Sequence, residues 1–479
     1  MAPTSVRAMS ALFRRKAFST ELPVHQQLAR TLGWPHLLAL GIGAIVGTGI
    51  FTLIGVGAGR AGPAVLVSFA VAGAICACAA LAYAEMATMI PASGSAYTYS
   101  YTVLGEVIAW VVGWSLILEY SLVVATVAVG WSGYASGFLD GVGVHLPEML
   151  RHGPTVVDGA VTAWGLNVPA VFIIFVVAGL LSAGTKESAT INTALVVLKL
   201  VTLALFVAVA LPHVDTANMH PFAPFGYGAA NDGTGVKHGV MAASAIIFFA
   251  FYGFDAISTA AEEAKNPKRD LAIGIVGSMI ACTIIYMGVA FVAVGAMTFS
   301  GFAKSPEPLA VILRSIGQDN VATVVAAAAA IALPTVLLAF LYGQSRIFLV
   351  MARDGFLPMK LAEVSKRGTP AKITWLTAIF VAVIAGLSPL DLIASLANAG
   401  TLCAFIAVAA CVLVMRRRAP DMERSFRTPL AWFVCPAAIL GCLYLFTSLQ
   451  PITQISFFVW NGIGLLIYFL YARRKAVLA

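Results

Sequence analysis

Gly41-Ile42-Gly43-Ala44-Ile45-Val46-Gly47-Thr48-Gly49-Ile50-Phe51 places four glycines within nine residues in the middle of an apolar run. A glycine in a helix interior costs about 1 kcal/mol relative to alanine, and Gly47-Thr48-Gly49 concentrates that penalty at one point. The sequence therefore predicts a helix in apolar surroundings that breaks at Gly47. A dinucleotide loop would also be glycine-rich, but the spacing is G-x-G-x-x-x-G, no strand precedes it and no acidic residue follows about 20 positions on. That reading is rejected. Close helix packing through small residues is the other reading, with Gly41 and Gly43 as its natural carriers.

Working outward, the glycine run belongs to a chain of 479 residues, 60% hydrophobic and 10% charged. A soluble chain carries about 25% charged residues, and a mean hydropathy of +0.93 leaves too little polar surface to cover water-facing domains. Lipid is the solvent for most of this chain, which excludes a soluble enzyme. Apolar runs of about 20 residues occur twelve times, at 36–59, 64–90, 106–136, 168–183, 188–211, 239–262, 272–298, 321–349, 373–387, 391–415, 430–448 and 453–472. Lipid-exposed backbone has to satisfy its own hydrogen bonds, and runs this long without strict alternation suit helices, not barrel strands. The expected fold is an all-α polytopic membrane protein with 12 transmembrane helices.

The net charge of +8 and pI near 9.1 record orientation in the bilayer. Counted by alternate loops, one side holds 23 of the 29 Lys and Arg, the other holds Arg60, Arg151, Lys237, Lys304 and Arg314, and Lys199 lies within a span. By the positive-inside rule both termini are cytoplasmic, so residues 1–35 and 473–479 read as cytoplasmic tails of a cell inner (plasma) membrane protein. Topology accounts for the basic balance, and no nucleic-acid partner is expected. Residues 1–35 lack the apolar core and cleavage site of a secretory signal. All seven cysteines fall within apolar runs, where free Cys behaves as a small hydrophobe. With the histidines scattered, no metal-ligand spacing appears, and neither metal nor cofactor is expected.

Span six carries a second interruption, Phe248-Phe249-Ala250-Phe251-Tyr252-Gly253-Phe254-Asp255-Ala256. An ionisable residue inside a span is functional by default. Asp255 suits the cap of a helix restarting after Gly253, its carboxylate accepting from the N–H of Ile257 or Ser258; substrate contact is the alternative. Gly47, Gly253 and Asp255 are thus the helix-break residues. The breaks occupy matching positions of two successive five-helix units, 36–211 and 239–415, and paired broken helices mark a transport site at the membrane midplane.

A broken helix exposes chemistry. At Gly47-Thr48-Gly49-Ile50 the restarting half-helix presents free N–H groups and about half a positive charge, suited to a carboxylate. At Phe249-Ala250-Phe251-Tyr252 the ending half-helix presents free carbonyls, suited to an ammonium. An anion site beside a cation site fits the headgroup of an α-amino acid. The expected substrate-binding residues are Ile45, Thr48, Gly49, Ile50, Phe249, Ala250, Phe251 and Tyr252. Phe251, Tyr252 and Phe254 are candidate gates, although aromatic residues in spans also serve as core.

Three segments together carry a resemblance: Gly41 to Phe51, Pro91-Ala92-Ser93-Gly94-Ser95-Ala96-Tyr97-Thr98-Tyr99, and Phe254-Asp255-Ala256-Ile257-Ser258-Thr259-Ala260-Ala261-Glu262-Glu263 with Asn266-Pro267. Over spans one to ten the chain resembles the cationic amino acid transporter branch of the amino acid–polyamine–organocation superfamily. The resemblance implies a LeuT-type inverted five-plus-five repeat with two added helices at 430–472, and secondary transport of amino acids. Bacterial members of the branch include carriers of neutral amino acids, so cationic selectivity does not transfer with the name.

Lys199 sits near the centre of span five, roughly 16–18 Å from either end at 1.5 Å per residue, too deep to snorkel. It faces protein, and because desolvation penalises the charged form of an amine, such a group can gain and lose a proton during a cycle. In related proton-coupled members a lysine at this place in helix five bridges helices one and eight; a fixed structural cation is the alternative. Glu119 is equally central in span three, where the resemblance implies a place near the substrate cavity or in a proton relay, against a buried structural partner. Lys199 and Glu119 are the expected proton-coupling residues. Glu85, Arg346, Arg353 and Asp354 read as inner-face network or gate residues, with solvated-surface roles the equal alternative for Arg353 and Asp354.

A membrane enzyme would need nucleophile, base or metal ligands at one depth, and the spans hold no HExxH, GxSxG or His-rich set. The expected function is secondary active transport of L-amino acids by proton symport, with protons and the lipid bilayer as partners. Amino acid exchange is the alternative. A channel or a sensor could keep the broken helices and is less favoured; a sensor would more naturally carry a large soluble output domain, and both tails are short.

Overall fold

The computed structural model describes residues 14–16, 32–92, 94–157, 160–182, 189–231, 236–261, 264–358, 360 and 371–475. Residues 1–13, 17–31 and 476–479 of the expected tails, and Ser93, Lys186, Glu262, Glu263, Lys366 and Arg367, lie outside the described residues. Among the described residues, nine helices are long and apolar enough to cross a membrane, the longest being Leu53–Met89, Glu106–Gly141 and Asp319–Arg353. Three shorter apolar helices join them: Trp34–Ile45, Val168–Ser182 and Ala371–Leu387. The chain is a mostly helical, polytopic membrane protein.

Helix ends depart from the apolar runs where capping chemistry overrides hydropathy. Pro267–Ala296 starts before its run because Pro267 fills the first turn, where no N–H is needed. Leu390–Arg418 runs on through Arg416, Arg417 and Arg418, cations that suit a helix C-terminus. The connections also hold structure that the all-α expectation omits. Two antiparallel strand pairs form, Thr155–Val157 with Ala160–Ala163 and Ala230–Asn231 with Lys237–His238. The first is rich in β-branched residues, which favour strands, and both lie in connections where water can satisfy strand edges.

Pro267–Ala296 packs on Val65–Met89 and Trp34–Ile45, while Leu390–Arg418 and Pro334–Arg353 pack on Glu106–Gly141. Glu106–Gly141 also receives the helix Pro451–Ile467 through indoles. Trp110, Trp114 and Trp460 stack, with centroid separations of 5.5 and 4.9 Å. Trp114 Nε1 donates to the Trp460 carbonyl at 2.9 Å, Trp460 Nε1 donates to the Trp114 carbonyl at 3.0 Å, and Trp110 Nε1 donates to the Gly464 carbonyl at 2.8 Å. Indole N–H groups away from water need such acceptors.

Toward the basic loops, carboxylates tie helix ends together. Fully buried Glu85 accepts from Arg416 Nε and Nη2 and from the Thr428 N–H, each at 2.8 Å, with Arg424 Nε at 3.3 Å. Asp354 accepts from Lys16 Nζ and from the Tyr97 hydroxyl, both at 2.7 Å. Arg346 stacks over the Tyr342 ring at 4.2 Å.

Candidate functional site

Both glycine-marked interruptions are breaks in the helices. Trp34–Ile45 ends, Val46 and Gly47 are extended, and a new turn begins at Thr48–Phe51. Its first bonds run from the N–H groups of Ile50 and Phe51 to the Gly47 carbonyl at 3.2 and 3.3 Å, so the Thr48 and Gly49 N–H groups precede the bonded part of the helix. In span six, Val240–Ile247 tightens into a 3-10 turn at Phe248–Ala250, and a helix resumes at Asp255–Thr259.

The breaks touch. A Cβ on Gly49 would overlap the backbone of Ala250, whose nitrogen lies 3.0 Å away. Gly253, at φ +119°, lies against Ala44, its Cβ position 2.9 Å from the Ala44 carbonyl carbon. Only glycine permits backbone to approach this closely, and only glycine takes that φ without strain. Gly41 packs just as tightly, against Ile257 and Ser278, so it carries the helix-packing role.

Between the breaks lies a narrow cavity lined by Ala44, Ile45, Gly47, Thr48, Gly49, Val123, Val127, Phe249, Tyr252, Val336 and Phe340. The Thr48 hydroxyl is buried and makes no hydrogen bond among the described residues. Of the expected binding residues, Ile45, Thr48, Gly49, Phe249 and Tyr252 line this cavity, and Ile50, Ala250 and Phe251 do not. Ile50 is fully buried away from it. Ala250 backs Gly49 with its main chain, and the Phe251 ring turns to Phe69 and Tyr286. Five wall residues were missed: Ala44, beside the span-one break, and the two pairs Val123 with Val127 and Val336 with Phe340. Each pair is spaced by four, one face of a helix, but valine and phenylalanine on such a face look the same whether they meet lipid, core or cavity.

Asp255 departs from the cap expected of it. It is the first residue of its helix, and its carboxylate turns back, accepting from the Gly253 N–H at 3.0 Å and the Tyr120 hydroxyl at 3.1 Å. The left-handed backbone of Gly253 aims that N–H at the carboxylate, and Ile257 and Ser258 receive no side-chain cap. Asp255 thus braces the break to span three.

Lys199 is 1% exposed, and its Nζ donates to the Gly43 carbonyl at 2.8 Å, two residues before the end of the first half-helix. Glu119 is fully buried beside Gly400 and Thr401, within the field of Asp255. Two tyrosines hold carbonyls at the span-one break: Tyr286 donates to Ile45 O at 2.8 Å and Tyr134 to Phe51 O at 2.5 Å.

Two broken helices that close a small cavity inside a polytopic helical bundle define a membrane permease and not an enzyme. The chain belongs to the amino acid permease family, whose model matches residues 32–471. It is 44% identical to the branched-chain amino acid permease BcaP of Bacillus subtilis (strain 168), over 98% of this chain and 99% of that protein. It is 41% identical to the methylthioribose transporter of the same organism, over 98% of this chain and 100% of the relative. The vacuolar cationic amino acid transporter 2 of Arabidopsis thaliana is 37% identical over 83% of this chain and 61% of its own length.

Proposed function

We propose that this permease carries branched aliphatic L-amino acids into the cell by proton symport, alternating access across two inverted five-helix units, 36–211 and 239–415. The carrying observation is the wall of the cavity: Val123, Val127, Val336 and Phe340 offer apolar surface and no charge to a side chain. A cationic side chain buried there would be unpaired, at a cost of several kcal/mol. The headgroup falls to the breaks, the carboxylate to the Thr48 and Gly49 N–H groups and the ammonium to the carbonyls of the facing half-helix ends. The branched-chain permease among the relatives supports the same substrate class.

Lys199 supports the proton. Held on the Gly43 carbonyl, its amine pulls on the half-helix that moves when the inner side opens, so its protonation state is linked to that helix's position. Both termini are cytoplasmic in this reading, and the membrane is the plasma membrane. The test is counterflow in proteoliposomes against twenty amino acids and methylthioribose, followed by net uptake under an imposed pH step. Leucine, isoleucine and valine drive counterflow and accumulate with an inward proton gradient. Counterflow that never becomes accumulation assigns the protein to exchange instead, and counterflow by lysine or arginine alone refutes the substrate assignment.

A further inference from the structure

Tyr286 touches both breaks without lining the cavity. It is fully buried on Pro267–Ala296, with its ring edge-on to Phe69 at 6.0 Å and to Phe251 at 5.3 Å, and Phe251 belongs to the interruption of span six. Those ring contacts need no hydroxyl, since phenylalanine would fill the same space. The hydroxyl instead donates to the Ile45 carbonyl at 2.8 Å, the last residue of the first half-helix.

The end of a helix leaves its last four carbonyls without intrahelical partners. At Trp34–Ile45 they are answered unevenly. Ile42 O receives the Val46 N–H at 2.8 Å, Gly43 O receives Lys199 Nζ at 2.8 Å, and Ile45 O receives Tyr286. A carbonyl oxygen has two lone pairs. Ile45 lines the cavity, so a donor that fixes one lone pair also fixes where the other points.

We propose that the Tyr286 hydroxyl is a positioning group for amine recognition: it holds the Ile45 carbonyl steady at the cavity for the substrate ammonium, and its ring ties that carbonyl to Phe251 at the opposite break. The inference rests on the reading that the headgroup is bound at the breaks. Tyr286 contacts no substrate. It acts through a main-chain group that side-chain substitution at Ile45 cannot remove, which makes Tyr286 a handle by which mutation reaches this carbonyl.

The experiment uses the purified full-length protein. For Tyr286→Phe, equilibrium binding of L-leucine weakens about five- to tenfold, the worth of one net hydrogen bond. In proteoliposome counterflow KM rises by the same factor while Vmax stays within about twofold. A purely structural hydroxyl would lower the melting temperature and leave Kd and KM at parent values, and that result overturns the proposal. If the phenylalanine variant does not fold, a fluorinated tyrosine at position 286 keeps ring and hydroxyl while strengthening the donor; an unchanged Kd there overturns it equally. Gly49→Val separates the two layers. Parent affinity in Gly49→Val refutes the headgroup site itself, whereas lost binding there with parent affinity in Tyr286→Phe removes only the role of Tyr286.

Discussion

The closest approach between the two breaks is also the one most open to a decisive substitution. A single methyl group on Gly49 would overlap the main chain of Ala250, with the Ala250 Cβ only 2.6 Å from it. Ordinary carbon contacts begin at about 3.5 Å, so Gly49→Ala separates the breaks by roughly 1 Å, and the β-branched Gly49→Val separates them further. Misplacement of about 1 Å in a preorganised site costs on the order of a hundredfold. We therefore expect Gly49→Val to lower leucine counterflow in proteoliposomes by about a hundredfold or more, with Gly49→Ala in between. The control is Gly288→Ala, on the helix that holds Tyr286, where an added Cβ meets nothing within 4 Å; it should transport as the parent does. Size-exclusion chromatography and a melting curve establish that each variant is folded. A monodisperse Gly49→Val that binds leucine at parent affinity would falsify the half-helix site.

Lys199→Ala should abolish the dependence of accumulation on an imposed pH step while counterflow persists. Lys199→Arg should also fail to accumulate, because a guanidinium with pKa above 12 does not release its proton; an arginine variant that follows the pH step normally contradicts the coupling role. Phe340→Ala removes a cavity wall and should let phenylalanine compete for leucine uptake more strongly than it does in the parent; unchanged competition profiles would place the side-chain pocket elsewhere. Glu85→Gln leaves buried Arg424 and half-buried Arg416 without their carboxylate, so stability should fall by about 3–5 kcal/mol, seen as a lowered melting temperature, and a variant that melts with the parent would show the node to be dispensable.

How much of this was legible beforehand follows from what each feature depends on. Gly47 and Gly253 announce breaks because glycine is penalised in any helix, a local property that holds before tertiary structure exists. The headgroup arrangement follows from the breaks, since free N–H and carbonyl groups are a property of helix ends. Val123, Val127, Val336 and Phe340 carry no such mark, because an apolar side chain reports only that it avoids water, and the cavity appears when four helices are placed around it. The direction of the Asp255 carboxylate was equally hidden, being set by the φ of its neighbour Gly253 and by a tyrosine 135 residues away in the chain. Ser95–Val103 falls between two apolar runs because its nine residues are mostly polar or tyrosine, yet they form a fully buried helix.

The indole column joining Glu106–Gly141 to Pro451–Ile467 turns part of the protein into its own optical probe. Three transition dipoles stacked at about 5 Å centroid spacing couple to one another, so Trp110, Trp114 and Trp460 should dominate the near-ultraviolet circular dichroism of the folded chain. Any step of the cycle that slides span twelve along span three changes that spectrum, and a step that leaves the two locked does not. Substrate titrations followed at these wavelengths therefore report, without labels, whether span three is a fixed wall of the cavity or a moving one.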